Sequence, residues 1–315
     1  MNSSLLRMLQ SMKRIEDDPA RHFQTKTIDL VTFVPKYPNV ILVDQSLESC
    51  HFDNDDFPYT MSAVPIGGQI KYIFVTNTFS NAMSMPLDCG LGDPHDPNMA
   101  DEELAMEMAS GWTVILKEGL YMNPSTASNH NFILCHTSEF PGFEIVGLKD
   151  VRILFTEPRG AGAIIAAGRI TFNNLRIYDF RAPSYGHVAL KISSDTLEDK
   201  TEVAVDLIDV KIHSPTINGL FIDQSYASLQ GCAITGCREG LTALGARVSL
   251  RSSAVTYNQL RGVVLHDGTQ VSVSKSHFIG PNMVLSNGKC DVSISGSQNF
   301  MIKFILRIYI YFIFK

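Results

Sequence analysis

The sequence predicts a mainly β protein in which residues 99–300 form a right-handed parallel β-helix, a solenoid with one coil every 20–25 residues or so. Three observations support this fold class. An apolar motif returns along the chain at nearly constant steps, a second apolar strand precedes each copy of it, and glycines stand at equivalent places before several of those strands.

The repeated motif reads apolar–x–apolar–x–x–small–x–apolar. Its copies start at Ala227, Val248, Val271 and Val292, at steps of 21, 23 and 21 residues, and related units start at Ile170 and Val205. Aligned copies give three columns, two apolar and one of small residues: Leu229, Leu250, Val273 and Ile294; Ile234, Val255 and Phe278; Cys232, Ser253, Ser276 and Ser297. Strand alternation sends such apolar positions inward, so stacked coils bury what one coil cannot.

A shorter strand precedes each unit, at Leu220, Leu241, Val263 and Met283. Gly219, Gly240 and Gly262 stand directly before three of these strands, and we expect them to turn the chain with positive φ. The leucine-rich pattern LxxLxLxxN is absent, the step is too short for a propeller blade, and a sandwich gives no aligned columns.

The solenoid is predicted to open with an amphipathic capping helix from Met99, favoured by Asp101–Glu103 at its N-terminus. A first coil follows at Val114 and Leu116, with a Gly-x-Tyr turn at Gly119 and Tyr121, and FEIVGLKDVRILF supplies the second. This order of helix, strand and turn, together with the repeat, resembles the pectin-lyase-like superfamily over residues 99–300. The weakly conserved form of the repeat resembles the degenerate β-helix repeats of carbohydrate-binding and sugar-hydrolysing domains and of eukaryotic F-box β-helix adaptors.

The ends of the chain do not repeat. Residues 1–98 read as a small α/β N-terminal region or a cap on the solenoid, because an open terminal coil exposes an edge. Residues 301–315 are intensely apolar. Three interpretations stay open for them: a last coil, the aberrant end of a truncated chain, or a membrane anchor, although the segment is short for a spanning helix.

Composition narrows the function classes. The net charge of −6 argues against nucleic acid as a partner. None of the six cysteines has CxxC or zinc-site spacing, so we expect buried, reduced thiols, no metal and no cofactor. The N-terminus lacks an uninterrupted apolar signal segment, which favours an intracellular, cytoplasmic location.

Outward positions of the repeat carry little catalytic chemistry. The motif predicts three outward columns: Thr171, Asp206, Ser228, Ser249, Ser272 and Ser293; Asn173, Ile208, Gln230, Arg251, Ser274 and Ser295; Arg176, Lys211, Ala233, Ala254, His277 and Gln298. They hold one carboxylate, Asp206, whereas calcium or acid–base sites need several. The sequence therefore predicts a non-catalytic module that binds a protein or a carbohydrate on its lateral face.

The candidate binding residues are polar outward and turn positions: Ser228, Gln230, Arg238, Ser249, Arg251, Arg261, Ser272, Ser274 and Ser293. The alternative is a polysaccharide lyase or glycoside hydrolase with an atypical site, for which Asp223, His266 and Asp267 are the catalytic candidates because they follow the shorter strands. Asp93, His95 and Asp96 form a loose metal-like loop that reads more simply as a helix entry. Whether the protein is an enzyme stays open at this point.

Overall fold

The structure is a computed structural model that describes residue 10 and residues 26–47, 59–83, 111–123, 132–134, 142–156, 163–165, 169–181, 188–193, 203–280, 284–296 and 302–304. Mainly β structure fills this part of the chain. The strands before the repeat are β1 (Asn39–Val43), β2 (Thr60–Ile66) and β3 (Gln69–Thr76), and residues 79–83 are helical.

The remaining strands come in successive triplets, each of which we call a coil. Coil 1 is β4 (Trp112–Leu116), β5 (Gly119–Met122) and β6 (Phe132–Leu134), and coil 2 is β7 (Phe143–Gly147), β8 (Val151–Phe155) and β9 (Ala163–Ile165). Coil 3 is β10 (Arg169–Asn173), β11 (Arg176–Asp179) and β12 (Val188–Ser193), and coil 4 is β13 (Ala204–Ile208), β14 (Lys211–His213) and β15 (Asn218–Asp223). Coil 5 is β16 (Tyr226–Gln230), β17 (Ala233–Thr235) and β18 (Glu239–Leu244), and coil 6 is β19 (Arg247–Arg251), β20 (Ala254–Thr256) and β21 (Arg261–His266). Coil 7 is β22 (Gln270–Ser274), β23 (His277–Ile279) and β24 (Val284–Asn287), and coil 8 has the two described strands β25 (Asp291–Ser295) and β26 (Ile302–Phe304).

Each coil gives one strand to each of three sheets, except that coil 8 gives the second sheet none within the described residues. Sheet A has the order β2-β3-β1-β4-β7-β10-β13-β16-β19-β22-β25, sheet B runs from β5 to β23, and sheet C runs from β6 to β26. All neighbours are parallel except β2 and β3. Stacked parallel sheets built this way are consistent with a β-helix or solenoid-like fold.

The predicted apolar columns are confirmed by the strand register. Leu229, Leu250, Val273 and Ile294 pair in sequence across sheet A, and Ile234, Val255 and Phe278 pair across sheet B. All of these except Ile294 are buried in one continuous core, against which Ile294 packs. The interior is therefore continuous along the stack, as expected when no coil buries its apolar face alone.

The repeated motif spans a corner of the coil, so it holds two strands rather than one. Its first half lies in sheet A and its last apolar position lies in sheet B, as in β19 and β20. The third outward column, from Arg176 to His277, consequently lies on sheet B and not beside the serine column, which corrects the single face assumed from the sequence. Gln298 lies outside the described residues.

A residue with left-handed backbone makes the corner between sheets A and B in successive coils. These positions are Asn174, Asp209, Gly231, Ser252, Lys275 and Gly296, with φ between 50° and 65°. The N–H of each of the first five donates to a carbonyl at the end of the next sheet A strand, for example Ser252 N to Ser274 O at 2.9 Å. The turn therefore continues the hydrogen-bond ladder between coils.

The glycine prediction was wrong in its physical reason. Gly219, Gly240 and Gly262 lie inside β15, β18 and β21 without positive φ. A Cβ atom on Gly240 would lie 2.5 Å from the carbonyl oxygen of Gly262 and from Asn258 Nδ2. A Cβ atom on Gly219 would likewise lie 2.8 Å from the Gly240 carbonyl oxygen, so close packing between coils, rather than a turn, requires Gly219 and Gly240.

The N-terminal region extends sheet A beyond the first coil. β1 pairs in parallel with β4, and β3 pairs with β1. A second apolar cluster forms on the outward side of these strands, with Val40, Leu42, Val75 and Ile115 packed against Leu30 and Phe33. The capping helix predicted from Met99 lies outside the described residues, and the boundaries at 98 and 300 stay predictions.

The apolar tail adds a strand where it is described. β26 pairs in parallel with β24, and the rest of residues 301–315 lies outside the described residues. Among the described helices, none has the length and apolar character needed to cross a membrane. Cys232, Cys237 and Cys290 are buried free thiols, in agreement with the expectation for the cysteines that the structure describes.

Candidate functional site

The outward side of sheet A is divided into two halves with opposite properties. Across β4, β7 and β10 it is covered, and the outward side chains of Thr113, Glu144 and Thr171 are 0%, 6% and 2% exposed. Across β16, β19, β22 and β25 the equivalent register positions are Ser228, Ser249, Ser272 and Ser293, which are half-buried or exposed. We call these the covered half and the open half.

The covered half is occupied by residues 26–37, here called the leading segment. The Lys36 N–H donates to Glu144 Oε2 at 3.0 Å, and the Tyr37 N–H donates to Thr113 Oγ1 at 3.2 Å. The Lys36 ammonium donates to Thr171 Oγ1 at 2.8 Å. Burial raises the pKa of Glu144, an effect that the hydrogen bonds from Lys36 and Thr113 and the charge of Lys36 oppose.

The other end of the leading segment is held at the corner of sheets A and B. Asn174 pairs with Lys26 in both directions, Nδ2 to the Lys26 carbonyl at 2.7 Å and the Lys26 N–H to Oδ1 at 3.1 Å. The Lys26 ammonium meets Asp209 at 2.5 Å. The leading segment therefore covers this half through main-chain hydrogen bonds to side-chain oxygens, through two lysines and through the packing of Leu30 and Phe33 on the second apolar cluster.

The open half forms a groove of ≈ 610 Å³ that crosses four strands and is lined mainly by polar residues. Two parallel columns of outward side chains line the groove. The first lining column is Tyr226, Arg247, Gln270 and Asp291, and the second is Ser249, Ser272 and Ser293. The backbone of the inward-facing Val248, Val271 and Val292 forms the floor between them. Neighbouring strands lie about 4.8 Å apart. The groove therefore runs along the stack, over about 14 Å from β16 to β25.

The polar side chains of the groove are available to a ligand. Those of Arg247, Ser249, Gln270, Ser272, Asp291 and Ser293 make no hydrogen bond or ion pair with other residues that the structure describes. Tyr226, at one end, is 38% exposed and presents an aromatic ring to solvent. Hydroxyl, amide and guanidinium groups beside an aromatic ring can bind either a sugar or a peptide.

Seven of the predicted binding residues meet on the open half: Ser228, Gln230, Ser249, Arg251, Ser272, Ser274 and Ser293. Arg238 and Arg261 lie elsewhere, at the start of the sheet C strands. There Arg261 forms an ion pair with Glu239 at 3.2 Å, and the Arg238 carbonyl accepts from the Leu260 N–H. These two arginines therefore form a separate ridge.

The three catalytic candidates are not brought together as a constellation. Asp223 and His266 occupy the same column of sheet C two coils apart, with Leu244 between them, which places their Cα atoms about 10 Å apart. The Asp267 carboxylate accepts a hydrogen bond from the Lys289 N–H of the next coil at 2.7 Å, so it stabilises a turn between coils. Asp93, His95 and Asp96 lie outside the described residues.

Sequence reasoning missed the first lining column and one buried carboxylate. Tyr226, Arg247, Gln270 and Asp291 each stand one position before the first apolar residue of a motif copy, so extending the motif by one residue finds them. Glu144 is in register with Thr171 but belongs to a coil whose motif is too degenerate to align. Its contact with residues 36 and 113 has no sequence signal.

Metal chemistry has no support in the described part of the chain, where no group of three or more His, Cys, Asp or Glu side chains is placed to hold an ion. In comparisons with protein-family models, curated proteins and solved structures, the chain matches none of them. The functional argument therefore depends on the geometry of the open half.

Proposed function

We propose that this protein is a non-catalytic binding module of the right-handed parallel β-helix type, similar to the pectin-lyase-like superfamily, that binds a chain-like ligand along the open half of sheet A. One observation carries the proposal. A single sheet face is covered by the chain's own leading segment over its first coils and presents an exposed groove lined by polar side chains over its last coils.

Right-handed winding is part of the proposal for a physical reason. Connections between parallel strands of the same sheet are right-handed in almost all known cases, because strand twist favours that hand. Here each sheet is built from parallel strands joined through the other two sheets.

A binding role is favoured over the alternative of a polysaccharide lyase or glycoside hydrolase. Paired carboxylates do the acid–base work of glycoside hydrolysis, and the groove is lined by a single carboxylate, Asp291. The two carboxylates proposed from the sequence, Asp223 and Asp267, lie on sheet C and in a turn rather than in the groove. No described feature specifically supports catalysis.

The test is a thermal-shift screen of the full chain against acidic and neutral oligosaccharides and against peptides, in which a bound ligand raises the melting temperature. Ser272→Trp should fill the groove and abolish the shift. His277→Trp, at an exposed position of sheet B, should leave it unchanged. A shift that survives Ser272→Trp would place binding elsewhere, and cleavage of a bound oligosaccharide would refute the non-catalytic role.

A further inference from the structure

The inference here rests on the proposed function and names its ligand class. We propose that the open half binds an acidic, non-helical polypeptide segment of a partner protein, with Arg247 and Arg251 pairing with its carboxylates. Three observations carry this: the occupant of the covered half, the register between the halves, and the change of charge along the face.

The covered half shows how this face holds a peptide. The leading segment is irregular between residues 26 and 38 and crosses the sheet A strands rather than pairing with them. Its N–H groups donate to Thr113 Oγ1 and Glu144 Oε2, and Asn174 holds both the N–H and the carbonyl of Lys26. Side-chain oxygens at outward positions therefore satisfy main-chain donors of the bound peptide.

The open half repeats these positions in register. Thr171 pairs with Asp206, and Asp206 pairs with Ser228. The same column continues through Ser249 and Ser272. Thr113 and Thr171, whose hydroxyls accept from the leading segment, thus have serine equivalents farther along. A second peptide crossing β16 to β25 would find acceptors at the same outward column.

The charge of the face changes sign along the stack. On β7, β10, β13 and the corner after β13, the outward side carries three carboxylates, Glu144, Asp206 and Asp209, and one cation, Arg169. The lysines of the leading segment meet two of these carboxylates, with Lys26 on Asp209 and Lys36 beside Glu144. In the open half the outward and corner positions carry three cations, Arg247, Arg251 and Lys275, and one anion, Asp291. The complement of this surface is an acidic segment.

The two arginines suit a chain with several carboxylates. They lie four residues apart on β19, on either side of Ser249, with Cα atoms about 13 Å apart. Guanidinium groups bind carboxylates through paired hydrogen bonds, and neither guanidinium has another partner among the described side chains. Asp291 lies two coils beyond Arg247 and disfavours a second peptide carboxylate at that end of the groove. This difference between the two ends sets the direction in which the peptide lies along the groove.

The test measures fluorescence anisotropy of a labelled twelve-residue peptide of Glu, Ser and Gly with the full chain at low ionic strength. The double variant R247Q/R251Q should raise Kd roughly tenfold, since two charge-assisted contacts are lost. The matched control R238Q, an exposed arginine outside the groove, should change Kd less than about twofold. A lysine version of the peptide should bind weakly, and added salt should weaken the acidic peptide.

An uronic acid oligosaccharide of similar length is measured in parallel. If it binds more tightly than the peptide and R247Q/R251Q weakens it, the peptide inference is overturned and the proposed function stands. If the peptide binds equally well to the wild type and to R247Q/R251Q, the inference is overturned as well. If neither probe binds, both the inference and the proposed function are overturned.

Discussion

Ser253 joins three coils inside the stack. Its hydroxyl accepts the N–H of Cys232 at 3.1 Å and lies 3.1 Å from the Leu229 carbonyl, both in the preceding coil, and its N–H donates to Ser276 Oγ in the following coil. The column of small residues is therefore a hydrogen-bonded ladder at the corner of sheets A and B. Only a small side chain fits at this buried corner, and the serine hydroxyl satisfies main-chain groups that the corner leaves unpaired.

Replacing Ser253 tests this ladder at the residue scale. Ser253→Ala leaves the buried Cys232 N–H without its acceptor, and we expect a loss of roughly 1–3 kcal/mol in the free energy of unfolding. Ser252→Ala changes an exposed neighbour and should cost less than about 0.5 kcal/mol. Urea denaturation measures both, and equal stabilities for the two variants would refute the ladder.

Gly240 provides a second test at the same scale. Because a Cβ there would meet the Gly262 carbonyl oxygen at 2.5 Å, Gly240→Ala should cost roughly 1–3 kcal/mol through forced separation of coils. Gly245→Asn is the control. Its φ of 55° suits asparagine and the nearest atom, Gln224 Cγ, is 3.6 Å away. Thermal denaturation should show a lower melting temperature for the first variant only; comparable losses would contradict the packing argument.

At the scale of the element, the corner between sheets A and B is defined by backbone conformation more than by residue type. Asparagine, aspartate, serine, lysine and glycine all occupy its left-handed position in successive coils. The ladder hydrogen bond from that residue to the next coil is present for the first five of the six positions. Residues such as Lys275 therefore carry a conformational cost that the ladder offsets.

Relieving that cost should stabilise the protein. Lys275 has φ of 50° and an exposed side chain, so Lys275→Gly should raise the free energy of unfolding by about 0.5–1 kcal/mol, after the added entropy of the unfolded chain is subtracted. Gln230→Gly, at an exposed position of β16, should instead lower it by roughly 0.5–1 kcal/mol. Chemical denaturation of both variants gives the comparison, and a destabilised Lys275→Gly would contradict the backbone explanation.

At the scale of the whole molecule, stacking makes a continuous interior that excludes water from its thiols. Burial raises the pKa of Cys232 and of Cys237 to about 12. In the unfolded chain a cysteine ionises near pH 8.5 or so. The folded state therefore retains these protons at pH values where the unfolded state loses them.

This difference predicts alkaline destabilisation. The contribution of each thiol is fully present below about pH 8.5 and is lost as pH rises toward 12, at up to roughly 1.4 kcal/mol per pH unit per thiol. The double variant Cys232→Ala/Cys237→Ala should show a shallower fall in unfolding free energy between pH 9 and pH 11 or so. Its lower stability at pH 7, from lost packing, is a separate effect, and an unchanged slope would refute the thiol assignment.

The sequence by itself determined the repeat, the apolar columns that pair across sheets A and B, and most of the open half. Columns such as Leu229–Leu250–Val273 are visible because an inward position must be apolar in every coil, whatever surrounds it. The serine column was found for the complementary reason, since outward positions of the same strands alternate with inward ones.

Only the tertiary structure decided where the corners lie and which part of sheet A is free. The motif crosses a corner without a marker residue, because Asn174 and Lys275 adopt the same backbone conformation. The cover of Glu144 by Lys36 and Tyr37 joins residues more than a hundred positions apart. Contacts between a non-repeating segment and a repeating face have no periodicity, so the boundary between the covered and open halves follows from packing alone.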